Sequence, residues 1–358
     1  MSAAKRILPV FIPHLGCPHA CVFCNQREIT GAAADLALRE LNRICLLPPE
    51  EEERELAFYG GSFTAIPDEQ QLRYLEAAKK AVDAGVVSSI RLSTRPDAIT
   101  SEILSRLKAY GVRTVELGAQ SMWDSVLQAS GRGHTAADVR NASRLLRNAG
   151  FALVLQMMTG LPGDDDDGAV DTARQIIALR PDAVRIYPTV VVRGTALEQL
   201  WRRGEYREHT VEDAVRVCAR LLPLFEAAEI PVIRLGLNPT DELSGGAALA
   251  GAYHPALGEL VRSRVLRNRA EELLAAMDCE NKAVVISVPP EMLSQMIGQK
   301  RCNVQWLTEH FSLQRLEIRP DPNEPGIRSF FPLTADNTQT NHDCGSGNSR
   351  GYCFVQNA

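Results

Sequence analysis

The chain lacks any run of 18 uninterrupted apolar residues, so no segment has the length of a membrane-crossing helix. It also lacks an excess of charge: 39 Lys and Arg stand against 44 Asp and Glu, a formal net charge of -5. Binding to nucleic acid depends on Lys and Arg neutralising phosphate, so RNA contact here has to come from a local patch. The amino terminus, Met1-Ser2-Ala3-Ala4-Lys5-Arg6, is followed by no long apolar region, and no secretory leader is expected. Nine cysteines are an odd count without a regular framework, which argues for free thiols in a reducing, cytoplasmic setting. His342, Cys344 and Cys353 lack the Cys-x-x-Cys pair that a metal site near the carboxyl end would call for. With 45% hydrophobic and 23% charged residues the composition is that of a globular protein, and 358 residues predict one large domain and a smaller one.

What is present is a cluster of thiols in one loop. Cys17, Cys21 and Cys24 are separated by three and then two residues and follow the apolar run Ile7 to Ile12 and its Pro13-His14 turn. Thiolates suit soft metal centres. An iron-sulfur cubane normally takes four cysteines, and no fourth stands beside these three. One iron would then lack a protein ligand, and an open coordination position is how a metal site admits a reactant. The alternative is structural zinc held by Cys17, Cys21, Cys24 and His14 or His19.

From Arg6 to about Arg234 short apolar runs alternate with longer amphipathic stretches, the order of repeated β/α units on a parallel sheet. Strands are expected at Ile7 to Ile12, Glu55 to Tyr59, Ser89 to Leu92, Thr114 to Leu117, Ala152 to Met158 and Ala183 to Tyr187, with a candidate seventh at Pro231 to Leu235. Their number suits an incomplete, six-unit barrel better than a full eight-unit one, which needs about 250 residues. The unusual residues fall just beyond the strands: the cysteine loop, Gly60-Gly61-Ser62, Ser93-Thr94-Arg95, Gly118-Ala119-Gln120-Ser121, Thr159-Gly160-Leu161 and Pro188-Thr189-Val190. In β/α barrels that rim carries the active site.

The Cys-x3-Cys-x2-Cys loop with Phe23 before its last cysteine resembles the signature of the radical S-adenosylmethionine (SAM) superfamily. Residues 14 to 31, HLGCPHACVFCNQREITG, and 58 to 67, FYGGSFTAIP, are similar to the branch containing the Elongator catalytic subunit. Oxygen-independent coproporphyrinogen oxidases are more distant relatives. The resemblance runs from about Lys5 to Leu274. It implies a 4Fe-4S cluster on Cys17, Cys21 and Cys24, with the fourth iron holding the amino and carboxylate groups of SAM. It implies too that the turn at Gly60, Gly61 and Ser62 receives the SAM amino group. Ser93, Gln120, Arg132 and Gln156 become candidates for the ribose and carboxylate of SAM, Arg offering a planar fork to a carboxylate. Such an enzyme takes an electron from an external donor, cleaves SAM reductively and starts radical chemistry on an unactivated carbon.

Asp164 to Asp167 looks like a metal-binding run, yet its place before a helix favours capping and dipole complementation. Tyr253 and His254, in a Tyr-His-Pro element similar to one in bacterial Elongator-like proteins, are candidate catalytic groups, since imidazole exchanges protons near neutral pH. Residues 281 to 320 read as strand, helix, Gly298-Gln299-Lys300-Arg301 turn, helix, strand. That order resembles a KH nucleic-acid module, whose helix-GxxG-helix loop clamps a phosphate backbone, except that Arg301 replaces the second glycine. The expected organisation is a partial barrel at 1–235, a helical extension at 236–280, the α/β module at 281–320 and a Pro, Asn, Ser, Thr and Gly-rich flexible tail at 321–358. The resemblance implies tRNA as substrate; a porphyrin-like or other small molecule is the enzymatic alternative, and a zinc-stabilised RNA-binding adaptor the non-catalytic one. No length remains for the acetyltransferase domain that accompanies the Elongator subunit, and use of acetyl-CoA is not expected.

Overall fold

Each apolar run between Arg6 and Leu235 becomes a strand of one sheet: β1 (Arg6–Phe11), β2 (Arg54–Tyr59), β3 (Ser89–Thr94), β4 (Val112–Gln120), β5 (Ala152–Thr159) and β6 (Ala183–Pro188). The short β7 (Val190–Val192) leaves this sheet, and β8 (Val232–Leu235) rejoins it. The structure, a computed structural model, describes residues 6–12, 21–25, 33–50, 53–238, 243–323 and 326–331. All seven strands are parallel, in the order β1-β2-β3-β4-β5-β6-β8, so the candidate seventh strand is real. Among the described residues β1 and β8 each pair on one side only, and the sheet curls into an incomplete barrel.

Two faces with opposite chemistry explain the curl. Alternate strand residues point to opposite sides. One set, including Leu56, Phe58, Ile90, Leu92, Val115, Leu117, Leu155, Met157, Val184 and Ile186, is wholly buried. Burying each large side chain contributes about 1.5–3 kcal/mol, which holds the helices on that outer face. The helices are punctuated as the sequence directs. Thr100 caps Ser101–Ala109, and Thr135 with Asp138 forms a capping box on Ala136–Asn148. Thr210 and Asp213 do the same for Val211–Ala227. Asp165 starts Asp166–Ala178 by accepting from the Gly168 amide at 2.7 Å, while Asp166 and Asp167 pair with Arg216 and Arg220. The acidic run therefore caps and pairs, as its position implied.

Residues 243–247 form a short helical turn that leads into β9 (Ala248–Gly251), which pairs antiparallel with β7. This two-stranded ribbon was not foreseen, because three valines after β6 looked like part of the rim. No helix of the described residues is long and apolar enough to cross a membrane.

The chain divides into two compact units, Met1–Pro255 and Ala256–Ala358. In the second, β10 (Ala283–Val288) pairs parallel with β11 (Arg315–Pro320) and antiparallel with β12 (Arg328–Phe330). Leu293–Ile297 and Cys302–His310 are the helices flanking the Gly298 turn, so the strand-helix-turn-helix-strand order holds. The helix Leu257–Ala275, grouped above with an extension at 236–280, shares a core with this module: Leu266, Ala270 and Leu274 pack with Val284, Ile286, Met296 and Leu307. The tail was expected to start at 321, but the chain goes on to form β12 at Arg328–Phe330. Arg328–Phe330 satisfies the free edge of β10, and Ile327 packs against the same core. Residues 332–358 lie outside the described residues.

Candidate active site

Cys21 and Cys24 sit in a tight turn in which the Cys24 amide donates to the Cys21 carbonyl at 3.1 Å; Cys17 lies outside the described residues. Neither described thiol is in a disulfide; Cys21 is buried and Cys24 half-buried. The turn is tied to several elements at once. Val22 donates to Ser130 at 3.1 Å and accepts from the Leu197 amide at 2.7 Å, and the Asn25 side chain donates to the Arg193 carbonyl at 2.9 Å. Phe23 packs with Val126, Met158, Leu161 and Tyr187. The thiols are thereby held at the carboxyl ends of β4, β5 and β6, on the rim the sequence pointed to.

Arg132 joins this turn to β4. Its Nη1 donates to the Cys21 sulfur at 3.4 Å and its Nη2 to the Gly118 carbonyl at 2.9 Å, while Nε is buried without a hydrogen-bond partner. A Cβ at Gly118 would stand 2.6 Å from Nη2, so a side chain there would push the guanidinium from its present place. Two residues on, past a register shift, Gln120 is buried with φ +66°, a left-handed conformation that costs a non-glycine residue, and its amide nitrogen lies over Gly118. Gln156 donates to Gln120 Oε1 at 3.2 Å, so these two expected SAM contacts form a pair.

Gly60 closes β2 with φ +105°, and a Cβ there would meet the Ile12 carbonyl at 2.8 Å. Only glycine lets the second strand end this close to the segment entering the cysteine loop. Gly61 follows, half-buried. The Ser62 hydroxyl accepts from the Arg95 amide at 2.9 Å, and Thr64 bonds Thr94 at 2.6 Å; Ser62 thus fixes the turn to the end of β3. Tyr253 and His254 are half-buried just after β9, whose pairing with β7 brings them to the β6 side of the rim.

The other face of the curled sheet holds charges that the sequence reading missed. Glu116, in the middle of β4 and 3% exposed, accepts from Arg91 Nη1 at 2.9 Å, Arg185 Nη2 at 2.9 Å, the Tyr59 hydroxyl at 3.3 Å and Ser93 at 3.5 Å. Glu55 accepts from Arg91 Nε at 2.8 Å, Ser89 at 3.0 Å and Thr114 at 3.2 Å. Burial, with Glu116 beside it, pushes the Tyr59 phenol up to about 12. A single charge on the interior face of each of β2, β3, β4 and β6, namely Glu55, Arg91, Glu116 and Arg185, was the available signal. Ser93 belongs to this network as well as to the rim.

A separate cleft of about 590 Å³ lies along Gly160–Asp167, Glu205–His209, Asp213, Arg216 and Arg220, and none of Cys21, Cys24, Gly60, Gln120 or Arg132 lines it. No group of three or more His, Cys, Asp or Glu that could hold a metal is complete among the described residues.

An open parallel barrel that gathers a cysteine turn, a glycine turn and a polar interior at one rim is the architecture of radical SAM enzymes. Residues 11–176 match the radical SAM superfamily model and residues 181–267 the radical SAM C-terminal domain, and the chain belongs to that superfamily. Within it, the chain is 30% identical over 190 residues to Elongator complex protein 3 of Mus musculus, 48% of this chain and 35% of that protein. It is 30% identical over 183 residues to the tRNA uridine(34) acetyltransferase of Methanocaldococcus jannaschii, 46% of this chain and 34% of that protein. The chain spans about a third of the length of these curated relatives. Its fold is similar to that of the archaeal Methanocaldococcus infernus Elp3 with an N-terminal deletion, with TM-score 0.56 and 23% identity over 75% of this chain and 64% of that chain.

Proposed function

We propose that this radical SAM enzyme carries a 4Fe-4S cluster on Cys17, Cys21 and Cys24, cleaves SAM reductively and modifies a carbon of tRNA. The observation that carries the reading is the guanidinium of Arg132, which donates to the Cys21 sulfur and to the bulged end of β4. A buried donor aimed at that sulfur is the kind of contact that orients a metal ligand. When bound, the cluster supplies the electron that splits the SAM sulfonium and starts hydrogen abstraction.

The chain's own residues do the rest. The backbone around Gly60 and Gly61 stays open for the SAM amino group, and Gln120 and Gln156 offer paired amides to the ribose. Arg132 orients Cys21 and balances the SAM carboxylate, and Tyr253 and His254 face the substrate from the β6 side. Burial around Met158, Leu161 and Phe23 excludes water from the thiol turn. For tRNA the support is the similarity to a tRNA uridine(34) acetyltransferase and the basic Lys300-Arg301 turn between two helices of the second unit.

Anaerobic reconstitution with iron and sulfide, followed by an assay for 5'-deoxyadenosine, tests the reading. About four irons per chain are expected, with loss of cluster in Cys17→Ala, Cys21→Ala and Cys24→Ala. Stoichiometric zinc with neither cluster nor SAM cleavage would replace it by the zinc-stabilised adaptor.

A further inference from the structure

The interior face of the first unit carries more guanidinium than carboxylate. Arg91 is fully engaged, with Nε and Nη2 on Glu55 and Nη1 on Glu116. Arg185 is not: Nη2 serves Tyr59 and Glu116 and Nη1 serves Tyr187, but its Nε is buried without a partner. Beside it stands Arg234. The register aligns Gln156 with Arg185 and Arg185 with Arg234, which places the three in one row across β5, β6 and β8 on the same face. Arg234 is half-buried, donates from Nε to the Gly236 carbonyl at 3.1 Å, and has no carboxylate partner among the described residues.

Two costs therefore meet at one place. Like charges on neighbouring strands repel, and a buried donor without an acceptor forfeits its hydration. A methionine or leucine at 234 would avoid the repulsion and still cover the sheet. A ligand oxyanion reaching the half-buried guanidiniums of Arg185 and Arg234 offsets the repulsion, because each presents planar N–H donors matched to phosphate or carboxylate oxygens. Since the row begins at Gln156, such an oxyanion would lie beside the SAM end of the barrel, where a substrate has to reach.

We propose that Arg185 and Arg234 form a subsite for a phosphate group of the substrate. The inference rests on the radical SAM reading for its place in the reaction, but not for the binding itself. Its test uses the full chain in phosphate-free buffer, titrated with inorganic phosphate and, separately, with the diester UpU, followed by calorimetry and thermal melting. Saturable binding of either is expected. Preference for inorganic phosphate would assign a terminal phosphate, and preference for UpU a backbone diester.

Arg234→Met and Arg234→Gln should weaken binding about 10- to 100-fold, the loss of a charge-assisted contact, and Arg234→Lys should restore part of it. Without ligand, Arg234→Met should melt at or above the wild type, because the repulsion is gone. Binding undiminished in both neutral variants, or absent from the wild type with both probes, would overturn the subsite. Release of 5'-deoxyadenosine by the wild type reports on the radical SAM reading alone. Its failure with phosphate binding intact would remove that reading and leave the subsite standing.

Discussion

Arg132 reaches across 111 residues of sequence to donate to the sulfur of Cys21 at 3.4 Å, and with its other terminal nitrogen it holds the Gly118 carbonyl at 2.9 Å. One side chain thus couples the thiol turn to the strand whose end bears Gln120. Hydrogen bonds to cluster sulfurs favour the reduced, more negative state and raise the potential. On the proposed cluster, Arg132→Met should lower the midpoint by about 60 mV, the one-electron equivalent of roughly 1.4 kcal/mol. An EPR-monitored redox titration reads this directly. An unchanged potential would show that the contact does not persist in the loaded protein.

Glu116 is the hub of the barrel interior, with Arg91, Arg185, Tyr59 and Ser93 all donating to it. Removing one partner of a buried ion network strands the others, at a cost of about 3–5 kcal/mol. Glu116→Ala should therefore be far less stable than Glu116→Gln, which retains an acceptor. Urea denaturation of the two variants, compared with the wild type, measures the gap.

His134 donates from Nε2 to the Ala119 carbonyl at 3.2 Å and leaves Nδ1 buried without a partner. Burial first, and then the charge of Arg132, lowers its pKa from 6.5 to about 4. Below pH 6.5 the unfolded chain takes up a proton that the folded chain refuses until about pH 4. Stability from the neutral ring is thus whole above 6.5 and lost as the pH falls towards 4, by at most about 3 kcal/mol. His134→Gln, which keeps a donor for Ala119, should flatten that part of the profile of unfolding free energy against pH.

Asp164 works in the opposite direction. Burial, aided by Asp165 and Asp166, pushes its carboxyl up to about 7, and its Oδ1 has no hydrogen-bond partner. Because the folded chain holds this proton to a higher pH than the unfolded one, the stability it brings is present below about 4 and lost as the pH rises through 7. At pH 8 Asp164→Asn should be more stable than the wild type by about 1–3 kcal/mol. The gain should vanish near pH 4. Since the two windows overlap, a wild-type profile alone hides both effects, and the single variants separate them.

The apolar face of the sheet was legible in the sequence because parallel strands under helices read as short Val, Ile and Leu runs; Leu56, Ile90, Leu117 and Val184 lie where those runs put them. The rim was legible through glycine and cysteine, residues chosen for backbone freedom and chemistry. The interior was not. Strands buried on both faces are expected to be apolar throughout, so Glu55, Arg91, Glu116 and Arg185 looked like interruptions when they are one network joined over long separations. Gln120 was found as a polar residue after a strand, but its positive φ follows from a register shift against β5 that no local pattern announces. The ribbon of β7 and β9 is likewise a pairing between distant segments, and the contribution of Cys17 lies outside the described residues.

The second unit tests the RNA reading in a way that separates charge from fold. Lys300 and Arg301 have φ +51° and +64°, and Arg301 occupies the place where the KH pattern has glycine. A left-handed conformation costs a non-glycine residue about 1–2 kcal/mol, so Arg301→Gly should stabilise the unit while deleting a positive charge. If the turn meets a phosphate backbone through that charge, the same variant must bind tRNA more weakly, and the slope of log affinity against log salt should fall by about one. Lys300→Gly should behave alike. Structural damage cannot mimic this outcome, because a damaged unit would lose stability and affinity together. A stabilised variant whose tRNA affinity and salt slope match the wild type would instead mean that the strained turn serves close backbone approach or the packing of its own helices. The phosphate contacts would then have to be sought elsewhere on the chain.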